Sequence, residues 1–416
     1  MSGPGGAALS SLYARLGPHL TPFAILLGIV SASTLQTESA SYLHLSLDYN
    51  KPYFTFFTTH ISFTLVFPLH LVLLKLTTPT PTATHLSALR HVIAAQLGTE
   101  AILHPWIRQV TWMTILISIP ALSWFVAMTF SNPMDITSIY ATSSFHVYFF
   151  SMLMLGTPLS RWTLGSIALA FAGVVVIALG GKGESDAAQG DRRVLGDGIM
   201  LFGAIVLGLY EVIYKLALPE SQGGVTKTSP SAGEYRALPI HASPPDTPPY
   251  TSDISIPLSP TLRPLSPTSR RADSPPLPTS RLLQPAHPPS QTQLPPALHA
   301  NFLTSSIGLA TLLLLWIPIV FLDIQGWERF EWPAGDWRVW CCMGLVAAGG
   351  SLYNAGLMVL IGIWGPTISS VANLLTIGLV ALIDALWLGN VPSLETVLGV
   401  GMICVGFGVL LWEGEG

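Results

Sequence analysis

Charge is what this chain has least of. Of its 416 residues, 18 are Lys or Arg and 22 are Asp or Glu, about a tenth of the whole, where soluble domains carry roughly a quarter. Half of the residues are hydrophobic. So few charges cannot cover so much apolar surface, which excludes an ordinary soluble domain and predicts a polytopic membrane protein. The formal net charge of −4 is small and spread out. There is no basic stripe with interleaved aromatics, so nucleic acid is excluded as a partner. Cysteine is scarce as well. Cys341, Cys342 and Cys404 fall in apolar stretches with neither disulfide nor metal-ligand spacing, and read as small packing residues with no metal or other cofactor expected. Catalytic signatures are also missing: no Gly-x-Ser-x-Gly, no His-Glu-x-x-His, no phosphate-binding loop, and no carboxylate pair beside a nucleophile. The chain does not read as an enzyme.

What it has instead is long apolar runs, near 18–36, 52–76, 109–130, 133–155, 160–181, 195–217, 301–323, 338–362, 365–389 and 393–413. Each is close to the ~20 residues that cross a bilayer core. Their continuous apolarity excludes the alternation of a membrane barrel, and a helix satisfies its own backbone in lipid. The fold class expected is all-α, with about ten transmembrane helices. A short polar tail (1–17) precedes the first run, and Arg15 with no cleavage site after it marks that run as a retained anchor. A Thr/Pro-rich connection occupies 77–108. The segment 219–296 differs in kind, holding over half of the chain's 34 prolines with Ser and Thr between them. It cannot bury enough to offset its ordering entropy and is expected to be a disordered cytoplasmic loop.

The stretch from Pro133 to Gly181 returns near the C-terminus. A polar-dotted apolar helix, a short break and a second apolar helix occur in both places. Ser160 falls on Ser393, Thr163 on Thr396 and Gly173 on Gly406, all 233 apart (393 − 160). The chain therefore divides into a first five-helix repeat, 18–181, and a second, 195–413, interrupted by the 219–296 loop. Five helices per repeat give the two halves opposite orientations, the usual construction of a secondary transporter. Lys and Arg barely distinguish the two sides once the long loop is discounted. With the loop in the cytosol, both termini are cytoplasmic.

Ionisable groups inside apolar helices are functional candidates by default. They are His60, His146, Glu211, Lys215 and Asp384, with Asp135 and Glu38 near helix ends. Glu211 and Lys215, one turn apart in YEVIYK (210–215, with Tyr210 and Tyr214), either pair with each other or leave Lys215 to meet an anionic substrate group. His60 and His146 either relay protons or are hydrogen-bonded core histidines. Asp384, between apolar neighbours, either couples protons or reaches interfacial water. Uncharged polar residues gather at Ser138, Tyr140, Ser143 and Ser144, and again at Thr367, Ser370, Asn373 and Thr376. They line a central cavity or join packed helices by hydrogen bonds. Glycines 344, 349, 350, 399, 401, 406 and 408 read as close-packing positions.

Three stretches carry a family likeness: NKPYFTFFTTHISFTLVFPLHL (50–71, with Pro52, Thr59 and Phe67-Pro68-Leu69), DITSIYATSSFHVYFFS (135–151) and GPTISSVANLLTIGLVALID (365–384). With Gly406 and Tyr214-Lys215, they resemble the drug/metabolite transporter superfamily, and within it the F subgroup of the solute carrier 35 family (EamA-type). The resemblance covers nearly all the helices but neither 77–108 nor 219–296. It implies two inverted five-helix repeats, with a substrate cavity between helices one to four and six to nine. It also implies a small-molecule substrate: a nucleotide sugar, another phosphorylated metabolite or thiamine. The subgroup often has a lysine in the fourth helix where this chain has Ser144, which weakens a phosphate-binding role for that helix.

The residues themselves favour a cation. Only Lys215 offers positive charge in a core helix, whereas Asp135, Glu211 and Asp384 offer negative charge. The reading is a secondary-active transporter in an internal membrane, taking a thiamine-like cationic or zwitterionic metabolite by alternating access, with possible coupling to protons. A nucleotide-sugar transporter is the alternative, as is a non-transporting scaffold that binds cytosolic partners through its loop. Ser243, Thr247, Ser259, Ser266 and Ser274 each precede a proline. They are either chance dipeptides or sites for proline-directed kinases. Phosphopeptide mapping decides: the kinase reading expects these sites modified, and their absence under all growth conditions removes it.

Overall fold

Apolar sequence in long runs leaves the backbone only one local way to satisfy its polar groups in lipid, and the chain takes it. A computed structural model describes residues 4–130, 133–158, 160–180, 190–224, 294–330, 336–379 and 394–414. Among these there is no strand. In chain order the helices are α1 (Pro4–Leu45), α2 (Pro52–Ser62), α3 (Val66–Thr77), α4 (Thr82–Leu97), α5 (Leu103–Ala127), α6 (Pro133–Ala141) and α7 (Ser143–Leu155). There follow α8 (Arg161–Gly180), α9 (Gly190–Leu216), α10 (Leu298–Leu314), α11 (Ile317–Gln325), α12 (Trp337–Trp364), α13 (Pro366–Asn373) and α14 (Leu394–Gly414).

Five segments are long and apolar enough to cross a membrane: Thr21–His44, Pro52–Thr77 (α2 and α3), Leu103–Ala127, Val194–Leu216 and Trp337–Trp364. The α10–α11 pair, bent by 43°, makes a sixth. This is compatible with a multi-pass membrane protein. The other expected spans are broken, shorter or partly outside the described residues. That at 133–155 divides at Thr142 into α6 and α7, and that at 365–389 is described only as far as Leu379.

Several expected boundaries move. Helix α1 begins at Pro4, inside the stretch read as a tail. The expected connection 77–108 contains α4, rich in Ala, Leu and other good helix formers. It follows Pro81 and ends on Gly98 at φ +65, the left-handed position that glycine takes without strain. Leu89 and Ile93 of α4 are buried with Leu294 and Leu298 against Phe67, Leu71 and Leu74. The turn Pro219–Gly224 packs on the end of α12, where Gly223 (φ +84) lies against the Gly362 carbonyl with no room for a Cβ. These two edges of the expected loop thus belong to the helical body; 225–293 lie outside the described residues.

Proline placement dictates how the long helices meet. Pro68 has no N–H for the ladder, and the helix passes through a 3-10 turn, Phe63–Leu65, between α2 and α3. Ser305 of α10 fills this break. Its hydroxyl accepts the Phe67 N–H (2.9 Å) and shares its one proton between the carbonyls of Phe63 (2.9 Å) and Thr64 (2.8 Å). Pro318 acts likewise at the start of α11, where the Ile319 N–H turns to Trp316. The Leu315 carbonyl accepts from the Tyr53 hydroxyl of α2 at 2.8 Å. Each helix therefore closes the other's break, and the offsets match: 305 − 53 and 315 − 63 are both 252.

The same reciprocity governs α8 and α14, which run antiparallel. Gly173 lies against the Gly399 carbonyl and Gly406 against the Ser166 carbonyl, each without room for a Cβ. Here 406 − 173 and 399 − 166 are both 233. Of the expected packing glycines, Gly349 and Gly350 also touch α1 and α2, whereas Gly344, Gly401 and Gly408 face open space. Ser160 caps α8 by accepting the N–H groups of Trp162 and Thr163, and it donates to the Glu413 carboxylate, which also takes the Thr163 hydroxyl at 2.8 Å.

At the opposite end of the bundle a charge joins distant parts of the chain. The Glu328 carboxylate, after α11, accepts the backbone N–H groups of Tyr53 (2.9 Å) and Phe54 (2.8 Å) in the first turn of α2. The Lys51 ammonium donates to the Arg329 carbonyl at 2.6 Å. Burial raises the Glu328 carboxyl above its ordinary value, while the two N–H groups and Lys51 draw it back. Anions are favoured at a helix N-terminus, which offers unpaired N–H groups and the positive end of the dipole. Glu328→Ala is expected to destabilise the protein by about 1–2 kcal/mol in denaturant unfolding in detergent, the range of a lost helix cap, and Glu328→Gln by less.

Candidate functional site

The segment Tyr210–Lys215 is buried on most of its circumference. Tyr210, Glu211, Val212, Tyr214 and Lys215 are all nearly inaccessible, because α5, α6, α7, α12 and α13 all pack on α9. Gly208 lets α7 approach, since a Cβ there would meet the backbone at His146 and Val147. Glu211 is 2% exposed.

The helices facing α9 change their hydrogen bonding at matched places. In the α6–α7 helix, Thr142 N–H turns to Ile139 and Phe145 N–H to Thr142; just past α13, 232 residues on (374 − 142), Leu374 turns to Val371 and Ile377 to Leu374. Pro133 and Pro366 open the two helices 233 residues apart (366 − 133). Tyr140 and Asn373 lie just before the two breaks, also 233 apart (373 − 140), and touch each other. The Tyr140 and Tyr353 hydroxyls are 2.8 Å apart, and both hydrogen-bond to the Asn373 side chain. The Thr376 hydroxyl donates to Asn373 Oδ1 at 3.4 Å. Tyr140, Tyr210 and Tyr353 all lie within electrostatic reach of the Glu211 carboxylate.

The expected pairing of Glu211 with Lys215 is not formed. The Lys215 ammonium instead donates to the carbonyls of Ile361 and Gly362, both at 3.1 Å. A cation there meets the negative end of α12 and shares the Ile361 carbonyl with the Gly365 N–H. Glu211 Oε2 has no hydrogen-bond partner among the described residues. The same holds for the buried hydroxyls of Ser144, Tyr214 and Ser370. Buried polar atoms without protein partners mark places where water or a ligand completes the set.

The structure thus brings Tyr140, Asn373, Tyr210 and Glu211 together. His60 stands apart on α2, between the rings of Phe56 (4.5 Å) and Phe63 (4.6 Å), with Nδ1 3.2 Å from the Phe56 carbonyl. That is the geometry of a core histidine. His146 is half-buried on α7 and Thr367 is buried on α13. Asp384 and the Asp135 side chain lie outside the described residues. Tyr353 was not among the expected candidates; a buried phenol in the Gly- and Ala-rich run AAGGSLYNAG was its signal. Two small crevices open near Tyr49 and Lys51, of about 30 and 10 Å³, and neither is lined by the Tyr140–Tyr353–Asn373 group.

No family model matches this chain, and no curated protein matches it. The fold does have counterparts. Among 28 chains of solved structures that match, one described only as "Crystal structure of protein" aligns over 95% of this chain and 99% of its own length, at 11% identity and a TM-score of 0.50. At that identity the likeness is one of fold alone.

Tyr140→Phe and Tyr353→Phe should each cost about 0.5–1.5 kcal/mol, the net worth of a hydrogen bond. Because the two hydroxyls share one bond, the double variant should lose less than the sum of the single losses. Denaturant unfolding of the four proteins in detergent measures this. Strict additivity would mean that the hydroxyls do not interact.

Proposed function

We propose that the protein is a secondary-active transporter of a small cationic or zwitterionic metabolite, built from two inverted five-helix repeats that span the membrane ten times. Support for the repeats comes from the exchanged contacts. Tyr53–Leu315 and Phe63–Ser305 are one interaction seen twice, and so are Gly173–Gly399 and Ser166–Gly406. Contacts that map onto themselves when the halves are swapped are the mark of a two-fold relation. Residues related by such an axis touch only near it. Tyr140 and Asn373, 233 apart and in contact, fit such a pair, which supports a polar centre of the kind that transporters made of inverted repeats use for their substrates.

The observation that carries the functional reading is the buried Glu211 carboxyl, within electrostatic reach of Tyr140, Tyr210 and Tyr353, with the nearby Lys215 committed to the end of α12. A carboxylate beside phenol rings attracts cations through charge and through the ring faces. A nucleotide sugar would bring two or more negative charges to a centre whose described carboxyl is itself an acid. The cell biology proposed with this reading is an internal membrane, with both termini and the 219–296 loop in the cytosol.

Ligand-induced stabilisation of the purified protein tests the proposal, with thiamine, other organic cations, nucleotide sugars and phosphorylated metabolites as the panel. A ligand at about 100 times its dissociation constant stabilises the native state by about 2.7 kcal/mol. Stabilisation by a cation is expected, followed by its gradient-driven uptake into proteoliposomes. Stabilisation and uptake of a nucleotide sugar alone would overturn the cation assignment.

A further inference from the structure

Independently of what the protein carries, and resting on the multi-pass reading, we propose that α4, with the end of α3 and the start of α5, holds the headgroup of an anionic phospholipid. The span Pro52–Thr77 ends shortly before α4, and the span Leu103–Ala127 begins shortly after it. Helix α4, at 16 residues, is itself too short to cross. It therefore lies at the membrane face on which both neighbours terminate. One side of it is committed to the protein. Leu89 and Ile93 are buried with Leu294 and Leu298 against Phe67, Leu71 and Leu74 of α3, with Trp106 of α5 packed on the same cluster. The Gln96 amide donates to the Ala217 carbonyl just past α9. The other side exposes Leu86, Arg90 and His91.

Three cations rim this patch. Lys75 follows Leu74, Arg90 follows Leu89, and Arg108 stands two residues beyond Trp106, so each borders the buried cluster. All three are exposed, and none has a hydrogen bond or ion pair among the described residues. His91 and His104 are exposed with them. Glu100, the one acid in the sequence between Lys51 and Asp135, follows the end of α4, and Glu220 lies in the turn after Ala217. Neither acid stands on α4.

Exposed apolar side chains accompany the cations: Leu76 beside Lys75, Leu86 one turn before Arg90, and Leu103 and Ile107 before Arg108. That combination separates a lipid from an anion in solution. A dissolved anion needs only the charges, whereas a phospholipid brings its phosphate to the cations and its acyl chains to the leucines. Arginine grips two phosphate oxygens at once. The leaflet agrees as well. Helix α4 packs on Leu294 and Leu298, at the edge of the loop that the reading above places in the cytosol, and the cytoplasmic leaflet is the anionic one. A headgroup bound by Lys75, Arg90 and Arg108 ties α3, α4 and α5 together and, through Gln96, the end of α9 with them.

Full-length protein in nanodiscs of phosphatidylcholine, with and without phosphatidylserine, tests this by melting temperature and by mass spectrometry of the lipid retained. Phosphatidylserine should raise the melting temperature and be retained over phosphatidylcholine, and high salt should weaken both effects. In the triple variant Lys75→Gln, Arg90→Gln, Arg108→Gln the preference should fall about fivefold per charge removed, with the melting temperature in pure phosphatidylcholine unchanged. Arg338→Gln, exposed at the start of α12 and so at the opposite end of the bundle, should keep the full preference. Should the triple variant fold poorly, Arg90→Gln and Arg108→Gln singly carry the comparison. Glycerophosphoserine, the same headgroup without acyl chains, should not displace the lipid at equal concentration. Equal retention of the two lipids, an unchanged preference in the charge variants, an equal loss in Arg338→Gln, or displacement by the chainless headgroup each overturns the lipid site. The transporter reading is tested separately, by uptake.

Discussion

A main-chain carbonyl released inside lipid has no water to turn to, so every break in a membrane helix has to be closed by another part of the protein. That requirement ties this chain together. Pro68 and Pro318 each open a helix, and the closing hydroxyl comes from the partner helix in both cases: Ser305 for the first, Tyr53 for the second. Neither α2–α3 nor α10–α11 is complete alone. The close approach this needs is secured at Gly308, where a Cβ would run into the backbone of Phe63 and Thr64. Bent helices that complete each other fix the register of α2–α3 against α10–α11, and the glycine seam does the same for α8 and α14.

Within that frame the charges have separate duties. Glu328 serves the N-terminus of α2, Glu413 the N-terminus of α8 and Lys215 the C-terminus of α12, each a charge at the helix end whose dipole attracts it. Their energies are accounted for by structure. Glu211 is the exception, lying at no helix end and near no free cation among the described residues. In so weakly charged a chain, this buried acid, within electrostatic reach of three phenols, is the feature that packing among the described residues does not explain. The Tyr140 and Tyr353 hydroxyls are occupied with one another and with Asn373, and that of Tyr210 donates to Met358 Sδ, so they shape the centre and leave the carboxyl as its chemical handle.

Much of this was legible in the sequence because hydrophobic runs and their interruptions are local signals. The existence of the long helices, the 233-residue offset and the membership of Tyr140, Asn373 and Glu211 in one candidate set all came from composition and position. Other features are tertiary. Spacing alone allowed Glu211–Lys215 to pair, and nothing local says that α12 ends beside Lys215 and takes its ammonium. Tyr353 was hidden among small residues that read only as packing. Helix α4 was obscured by flanking prolines and threonines that look like a loop, although its interior consists of good helix formers. Glu328 sits in a short polar turn, 275 residues from the N–H groups it caps.

The two ends of α12 frame how such a protein would move. At 28 residues it is about 42 Å long at 1.5 Å per residue, enough to cross the hydrocarbon core and both interfaces. Beyond its N-terminal end lies the turn that carries Glu328 to α2; at its C-terminal end Lys215 holds the last carbonyls. Each closure is one charge against two backbone groups, whereas the seams along α1–α12 and α8–α14 are broad and apolar. Alternating access requires one end to part while the other holds. Closures of a few hydrogen bonds suit that part, because opening either costs far less than separating a packed seam. On the transporter reading proposed above, the glycine-lined interfaces would then move as rigid pieces.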